Sequence, residues 1–487
     1  MNSKKSLVWI AVAAVLTLSS CSGVKNACTT NCGGNGNALL SLTISDTPPT
    51  NTSVVSFTLP VLGISLVPST GSGQVSVFST GNFELTRLQA DTNLIAANVT
   101  VAAGSYTAVN VTVAAPTGTF INSSNVTVGA CLAGNICGLT GSAATITYTF
   151  PTGSPLVLTS NGKQWLNLDF NYSNAIVTTN GIGIDVTQTG VMTASSTVPA
   201  GVPSGDFANI DDFTGAITAL SSSSITVKSS LRGSLTATIS STTPVLDPQN
   251  QCTGGGSFSC IGISSIVSLQ GLLSNAGVLT ATSVDVIDKA TAPADEVEGI
   301  IYPSSCNGGN NLGMILSDST IFTSGSPLTS AGFGSGVCLT LNQTTVFAIN
   351  AGILTGQAGV PVNNTGFSGV GDLLAGQNVR AKITNAATGT NSIVNATATE
   401  LILRFSRLTG TVSTTAGSNI FTITNLPPYL GTTFSVPPQV ITYTNATLLE
   451  GETSVGSLTG TVSMDALYLD VNGGAQYWFQ AAKVRQH

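Results

Sequence analysis

Charge is what this chain has least of. Of its 487 residues only 7% are Asp, Glu, Lys or Arg, and the single histidine is His487, the last residue. One imidazole at a chain end removes the partner that Ser-His-Asp chemistry and histidine acid–base catalysis require. HExxH pairs, GKS/T phosphate loops and nucleophile elbows are missing as well, and Gly369-Val370-Gly371 lacks the third glycine and the strand-to-helix setting of a dinucleotide site. The 14 Lys+Arg are scattered against 21 Asp+Glu, for a formal net charge of −7. With no basic cluster to neutralise phosphates, nucleic acid is excluded as a partner. Only carboxylates remain for catalysis. A glycosidase needs two of them about 5–9.5 Å apart in a cleft, and so sparse a set singles out no pair, Asp169 and Asp185 reading equally well as turn caps.

What is abundant sets the fold class. Hydrophobic residues make up 42% and glycines number 53, with Ser, Thr, Asn and Val filling most of the rest. Strand formers punctuated by turn formers imply an all-β protein, and Val, Ile, Leu and Phe throughout distinguish it from a disordered chain. LSLTISDTPP, SVVSFTLPVLGISLV and NVTVAAGSYTAVNVTV alternate apolar and polar residues with period 2. In the last of these the valines on either side of Gly104-Ser105 predict a β-hairpin.

The first residues read as an export signal: Lys4 and Lys5, an uncharged apolar run from Leu7 to Leu18, then Leu18-Ser19-Ser20-Cys21. The run is too short to span a bilayer, which takes about 20 residues. It resembles a bacterial lipoprotein signal, which implies that Cys21 is diacylated and becomes the first residue of the mature protein. By the same resemblance Ser22, in place of an Asp, permits delivery to the outer membrane. The remaining eight cysteines fall into sequence-neighbour pairs: Cys28 with Cys32, Cys131 with Cys137, Cys252 with Cys260, and Cys306 with Cys338. In an exported chain an even count favours disulfides; zinc is the rival, and only Cys28 and Cys32 have a metal-like spacing.

Length, breaker residues and the alignment of repeats divide the chain into residues 1–20 (signal), 21–37 (flexible tether), 38–197 (the first β-domain), and three small β-barrel units at 206–292, 295–406 and 407–487. The seams are VPAGVPSG from Val198 to Gly205, the segment around Pro293, and the stretch Phe405 to Leu408. Leu42 to Pro49 (LTISDTPP), Phe83-Glu84-Leu85-Thr86, Ala103-Gly104-Ser105-Tyr106-Thr107 and Leu166-Asn167-Leu168-Asp169-Phe170 resemble the DUF 4382 family, a bacterial lipoprotein domain of unknown function. That resemblance implies a transthyretin-like sandwich. Ser45, Thr47 and the insertion holding Cys131 and Cys137 depart from the family pattern.

Each later unit opens on a glycine-led strand, Thr214-Gly215-Ala216-Ile217, Val297-Glu298-Gly299-Ile300 and Leu408-Thr409-Gly410-Thr411, and closes on an Ala/Val-rich one. These units are too long for solenoid repeats. With the Gly376-Gln377-Asn378-Val379 middle they resemble the DUF 5666 family, which implies OB-like barrels.

Two acidic groups lie at seams: Asp206, Asp211 and Asp212, and Asp295, Glu296 and Glu298. Either could hold Ca²⁺ between domains through oxygen ligands, or be solvated linker charge, the commoner case; EF-hand and nonapeptide spacings are missing. Tyr477-Trp478-Phe479 is the densest aromatic cluster, a sugar platform if exposed and core if its strand alternation turns it inward. The expectation is a non-enzymatic, cofactor-free, lipid-anchored envelope protein. Its role would be structural or toward a polysaccharide or protein partner, the alternative being a carboxylate- or Ca²⁺-dependent hydrolase.

Overall fold

The computed structural model describes residues 36–487 apart from 72, 179–181, 290–293, 303–305, 307–310, 362–363, 390–392, 416, 432–433, 435 and 471–476. The signal, Cys21, nearly all of the tether and Pro293 therefore lie outside the described residues, as do both Cys28 and Cys32. The fold is all-β, with two sheets forming an N-terminal sandwich and three six-stranded sheets following it.

In the sandwich, Asn37–Asp46 runs parallel to Lys163–Phe170 on one side and antiparallel to Asn93–Ala102 on the other. The facing sheet is built on the long strand Val54–Pro68, paired with Gly104–Val113 and Thr117–Ile121. Period-2 alternation sends Leu40, Leu42 and Ile44 inward from the first sheet to meet Phe57, Leu59, Val109 and Val111 from the second. The expected hairpin about Gly104-Ser105 does not form. Asn93–Ala102 belongs to one sheet and Gly104–Val113 to the other, so the chain turns a corner at buried Ala103. Alternation alone cannot separate the two outcomes, because Val101 and Val109 face the same core either way.

The three later sheets share one topology. Numbering strands within a unit from one to six, the order is 3-2-1-5-6-4, with an additional parallel pairing of strands 3 and 6 that closes strands 1, 2, 3, 6 and 5 into a barrel. The first strands are Asp206–Leu220, Asp295–Ile301 and Ser406–Thr415. Their recurrent glycine has a steric cause. A Cβ on Gly215 would lie 2.3 Å from the Lys228 carbonyl oxygen, on Gly299 2.1 Å from that of Ile315, and on Gly410 2.7 Å from that of Thr424. The second strand crosses there against bare backbone, which is how small barrels turn their corners. Gly299→Ala is expected to cost about 1–3 kcal/mol through overpacking, read as a lower urea midpoint, and an unchanged midpoint would refute this account of the motif.

The units are consecutive along the chain yet do not form a string in space. Trp165 of the sandwich stacks on Phe207 of the first barrel, centroids 6.2 Å apart and planes 9° from parallel. Thr119 of the sandwich donates to the Gly334 carbonyl of the second barrel at 2.9 Å, and Asn51 N donates to the Asn425 carbonyl of the third at 2.8 Å. Ile266 and Ile287 of the first barrel pack on Ala348 and Ile402 of the second, and Gln377 of the second donates to the Tyr468 carbonyl of the third at 3.0 Å. All four units thus meet at one junction.

Candidate functional site

The junction is built of charge. All six arginines of the chain lie in it or at its edge, and none has a side chain more than 8% exposed. Of the 21 acidic residues, 12 are buried. Among the described charged residues only Lys163 and Lys228 are openly exposed. This inverts the usual arrangement, in which charges are almost never fully buried unless paired.

Local structure aims each group inward. In the sandwich, Glu84 ends a strand and accepts from the Phe57 amide at 2.7 Å and from the hydroxyls of Ser56, Thr58 and Thr86. That carboxylate pins the 3-10 turn Leu85–Leu88, which projects Arg87 away from the sandwich core. In the first barrel, the register against Ile266–Ser274 slips between Ile210 and Phe213, and Asp212 has φ +42°. Adjacent strand residues normally point to opposite faces; the bulge lets Asp211 and Asp212 both reach the junction. In the second barrel, Glu296 and Glu298 share a strand face and flank Arg380, which pairs with both. Arg404 and Arg407 lie where the second barrel passes into the third, and Lys483 and Arg485 lie on the last strand.

Asp212 is the centre. Its carboxylate accepts from Arg404 Nη2 at 2.6 Å, Arg87 Nη2 at 3.4 Å, Arg407 Nη2, Ser268 Oγ at 2.6 Å and Thr214 Oγ1 at 3.1 Å. One carboxylate thereby joins the sandwich, the first barrel and the segment linking the second and third. Burial opposes its charge, but Arg404, Arg407 and Arg87 outweigh it and hold the carboxyl well below the usual range. Glu298, beside Arg87 at 3.0 Å, is likewise drawn down to about 2 against the burial penalty. Other acids move the opposite way. Burial raises Asp285 to about 7 and Glu296 to about 7 despite their arginines. Asp465 is pushed well up by burial and then by the neighbouring charge of Asp91. Seven cations face nine carboxyls in the junction's ion pairs. Burial thus favours the neutral form of the raised carboxyls, in a cluster where carboxyls outnumber cations.

The structure separates the residues singled out from sequence. Asp206 sits half-buried at the start of its strand, outside the ion pairs. Asp211 contacts Lys483 and Asp212 the arginines, so neither is a solvated linker charge. Asp295 caps a turn, accepting from the Phe322 and Thr323 amides at 2.7 and 2.8 Å. With these oxygens engaged by protein cations and amides, no group of three or more His, Cys, Asp or Glu among the described residues is arranged to hold a metal. Asp185 caps a turn at the Thr187 amide, 3.0 Å away. Asp169 accepts across parallel strands from Ser45 and Thr47 at 2.8 and 2.6 Å.

Cys131–Cys137, Cys252–Cys260 and Cys306–Cys338 form disulfides, with Cα separations of 5.8, 5.7 and 5.7 Å. The fourth expected pair, Cys28 and Cys32, lies outside the described residues. His487 is held rather than frayed: its Nε2 lies 2.7 Å from Ser463 Oγ and its amide donates to the Thr461 carbonyl at 3.1 Å. Phe479 is fully buried against Tyr468, while Tyr477 packs edge-on against Phe434, so these two rings serve packing.

Sequence reasoning missed Arg87, Arg380, Arg404, Arg407, Lys483 and Arg485. One signal for the junction was available: three residues before each repeated glycine stands a charge, Asp212, Glu296 and Arg407. A cavity of about 20 Å³ lies among Thr86, Arg87, Gln89, Ser317, Asn378, Arg407 and Tyr429. It has room for about one water, whereas small-molecule sites run to about 300–1,000 Å³. The junction can hold four units in one arrangement, and this cavity among its described residues is too small for a substrate.

No curated protein matches the chain. Two chains of solved structures match; one, drosophila Unr CSD456, is 9% identical with 57% of this chain and 97% of that chain covered, at a TM-score of 0.13, too low to bear on the fold. One family model, Domain of unknown function (DUF4382), matches residues 37–185. Over the sandwich that presents Arg87 and Asp91 to the junction, this chain is similar to that family.

Proposed function

We propose that this is a lipid-anchored protein of the bacterial envelope, delivered to the outer membrane, with a non-catalytic role as a structural element or as a binder of a polysaccharide or protein surface. The supporting observation is where its charge is spent. Five of the six arginines and 12 of 21 acids are buried, which leaves a surface of hydroxyls, amides and apolar groups with little to perform acid–base chemistry. The barrels extend the proposal: their glycine-led first strands and closed topology support a likeness to the DUF 5666 family. Export agrees with the disulfides, which persist in oxidising compartments.

The anchor is Cys21. One acyl chain binds a membrane only marginally, about 10⁴ M⁻¹, and two or more bind stably. Growing cells given a labelled fatty acid are expected to label the wild type and not Cys21→Ala, and the variant is expected to leave the membrane fraction. Unlabelled wild type with unchanged fractionation would overturn the anchor. Shaving of wild type by protease on intact cells would place it on the outer face, and protection would place it in the periplasm.

A further inference from the structure

Lys483, Asp211 and Glu450 form a group within the junction that has the chemistry for more than an ion pair. Lys483, on the last strand of the third barrel, has a side chain 4% exposed; its Nζ contacts Asp211 Oδ2 and lies 3.0 Å from Glu450 Oε2. Asp211 comes from the first strand of the first barrel, turned inward by the bulge. Its surroundings differ from those of its neighbour: Asp212 accepts from five groups, whereas among the described residues Lys483 alone donates to the Asp211 carboxyl. Burial raises that carboxyl to about 6 despite Lys483, so its neutral acid is accessible near neutrality. Glu450 remains a carboxylate, held to about 2 against burial by Arg485 and Lys483. Lys483 is held as an ammonium, raised by Asp211 and Glu450 against the opposing effect of burial; an ammonium, a carboxyl and a carboxylate are thus fixed in contact, shielded from the bulk water that would reverse a condensation.

We propose that Lys483 and Asp211 are joined by an intramolecular amide bond, with Glu450 carrying the proton. The Lys483 ammonium passes one proton to Glu450, and the freed lone pair of Nζ attacks Asp211 Cγ in its protonated carboxyl. The C–N bond forms and the C–OH bond breaks; the departing hydroxyl receives a second proton from the attacking nitrogen, relayed by Glu450, and leaves as water. Nζ keeps one hydrogen as a secondary amide, and the first proton passes to solvent. No oxidant or other reactant is consumed. The product replaces two buried charges by a neutral group, removing a desolvation cost that buried ion pairs bear, and Glu450 keeps Arg485 as its partner at 2.9 Å. The bond spans 272 residues of sequence and ties the first barrel covalently to the final strand. Lys382–Asp288 supplies an internal comparison. Its lysine is 25% exposed, where water stabilises the ammonium, and it stays an ion pair.

The test is peptide mapping by mass spectrometry of the full chain after disulfide reduction. The expected result is a branched peptide joining the segments of Asp211 and Lys483, lighter by one water than their sum, with no tryptic cleavage after Lys483 and ordinary cleavage after Lys382. Wild type yielding separate linear peptides with a free Lys483 would overturn the proposal and leave an ion pair. This measurement needs no variant, so misfolding of a mutant cannot obscure it. Glu450→Gln is expected to leave the two peptides unjoined, and an undiminished cross-link in that variant would overturn the role of Glu450.

Discussion

Replacing Asp212 by Asn is expected to unfold the junction. The substitution is nearly isosteric, so packing is preserved, but it leaves Arg87, Arg404 and Arg407 converging on a neutral amide whose own N–H groups face the guanidinium donors. Removing one partner of a buried pair costs about 3–5 kcal/mol because the other charge stays buried and uncompensated. Here three cations share the loss. Several kcal/mol is a large fraction of the roughly 5–15 kcal/mol that holds a typical domain together. The expected observation is a large fall in the denaturation midpoint with early protease cutting in the Val198–Gly205 segment, whose Ala200 carbonyl is docked on the third barrel through the Gly451 amide at 2.9 Å. A variant that melts like wild type would show that the barrels and sandwich stand independently. Asp206→Asn, outside the ion pairs, is the control expected to be near neutral.

Stability is expected to peak in mildly acidic solution rather than near neutrality. Asp285 and Glu296 titrate at about 7 in the folded chain, raised first by burial, against ordinary values of 3.8 and 4.5. Between those limits the folded state binds more protons than the unfolded one, so their contribution falls as pH rises toward 7 and then levels off. Glu298 and Glu450 behave oppositely. Their folded values of about 2 lie below 4.5, because arginines overcome the burial penalty, so they stabilise fully above 4.5 and lose that contribution as pH falls toward 2. The two trends cross near pH 4–5, where thermal midpoints measured from about pH 3 to 8 should be highest. A midpoint that climbs steadily to pH 7 would show that Asp285 and Glu296 are ionised in the folded chain.

Much of the architecture was legible in the residues. Period-2 alternation in segments such as LSLTISD marked strands because one face of each is core and the other is not. The thrice-repeated glycine marked the opening strand of a recurring unit, and the structure supplies its cause, since a side chain there meets a carbonyl oxygen. Three cysteine pairs close in sequence became disulfides because loops of 6, 8 and 32 residues bring their Cα atoms within bonding reach. The corner at Ala103 was not legible, since a hairpin and a sheet-to-sheet turn place the same valines in the same core.

The fate of the charges was the least legible part. A lone Asp212 in FANIDDFTG or a lone Arg404 in LILRFSRL carries no mark of its partner, and Arg404 and Asp212 are 192 positions apart. The amino-acid sequence by itself determined an all-β chain of several units, three of them opened by a like glycine-led strand, because strand alternation, turn chemistry and glycine sterics act over a few residues. The tertiary structure alone decided that the four units close around one buried cluster, and that the seam acids Asp211 and Asp212 face inward on a bulge toward cations. Coulomb attraction in a water-poor interior depends on distance in space, and only the folded chain sets that distance.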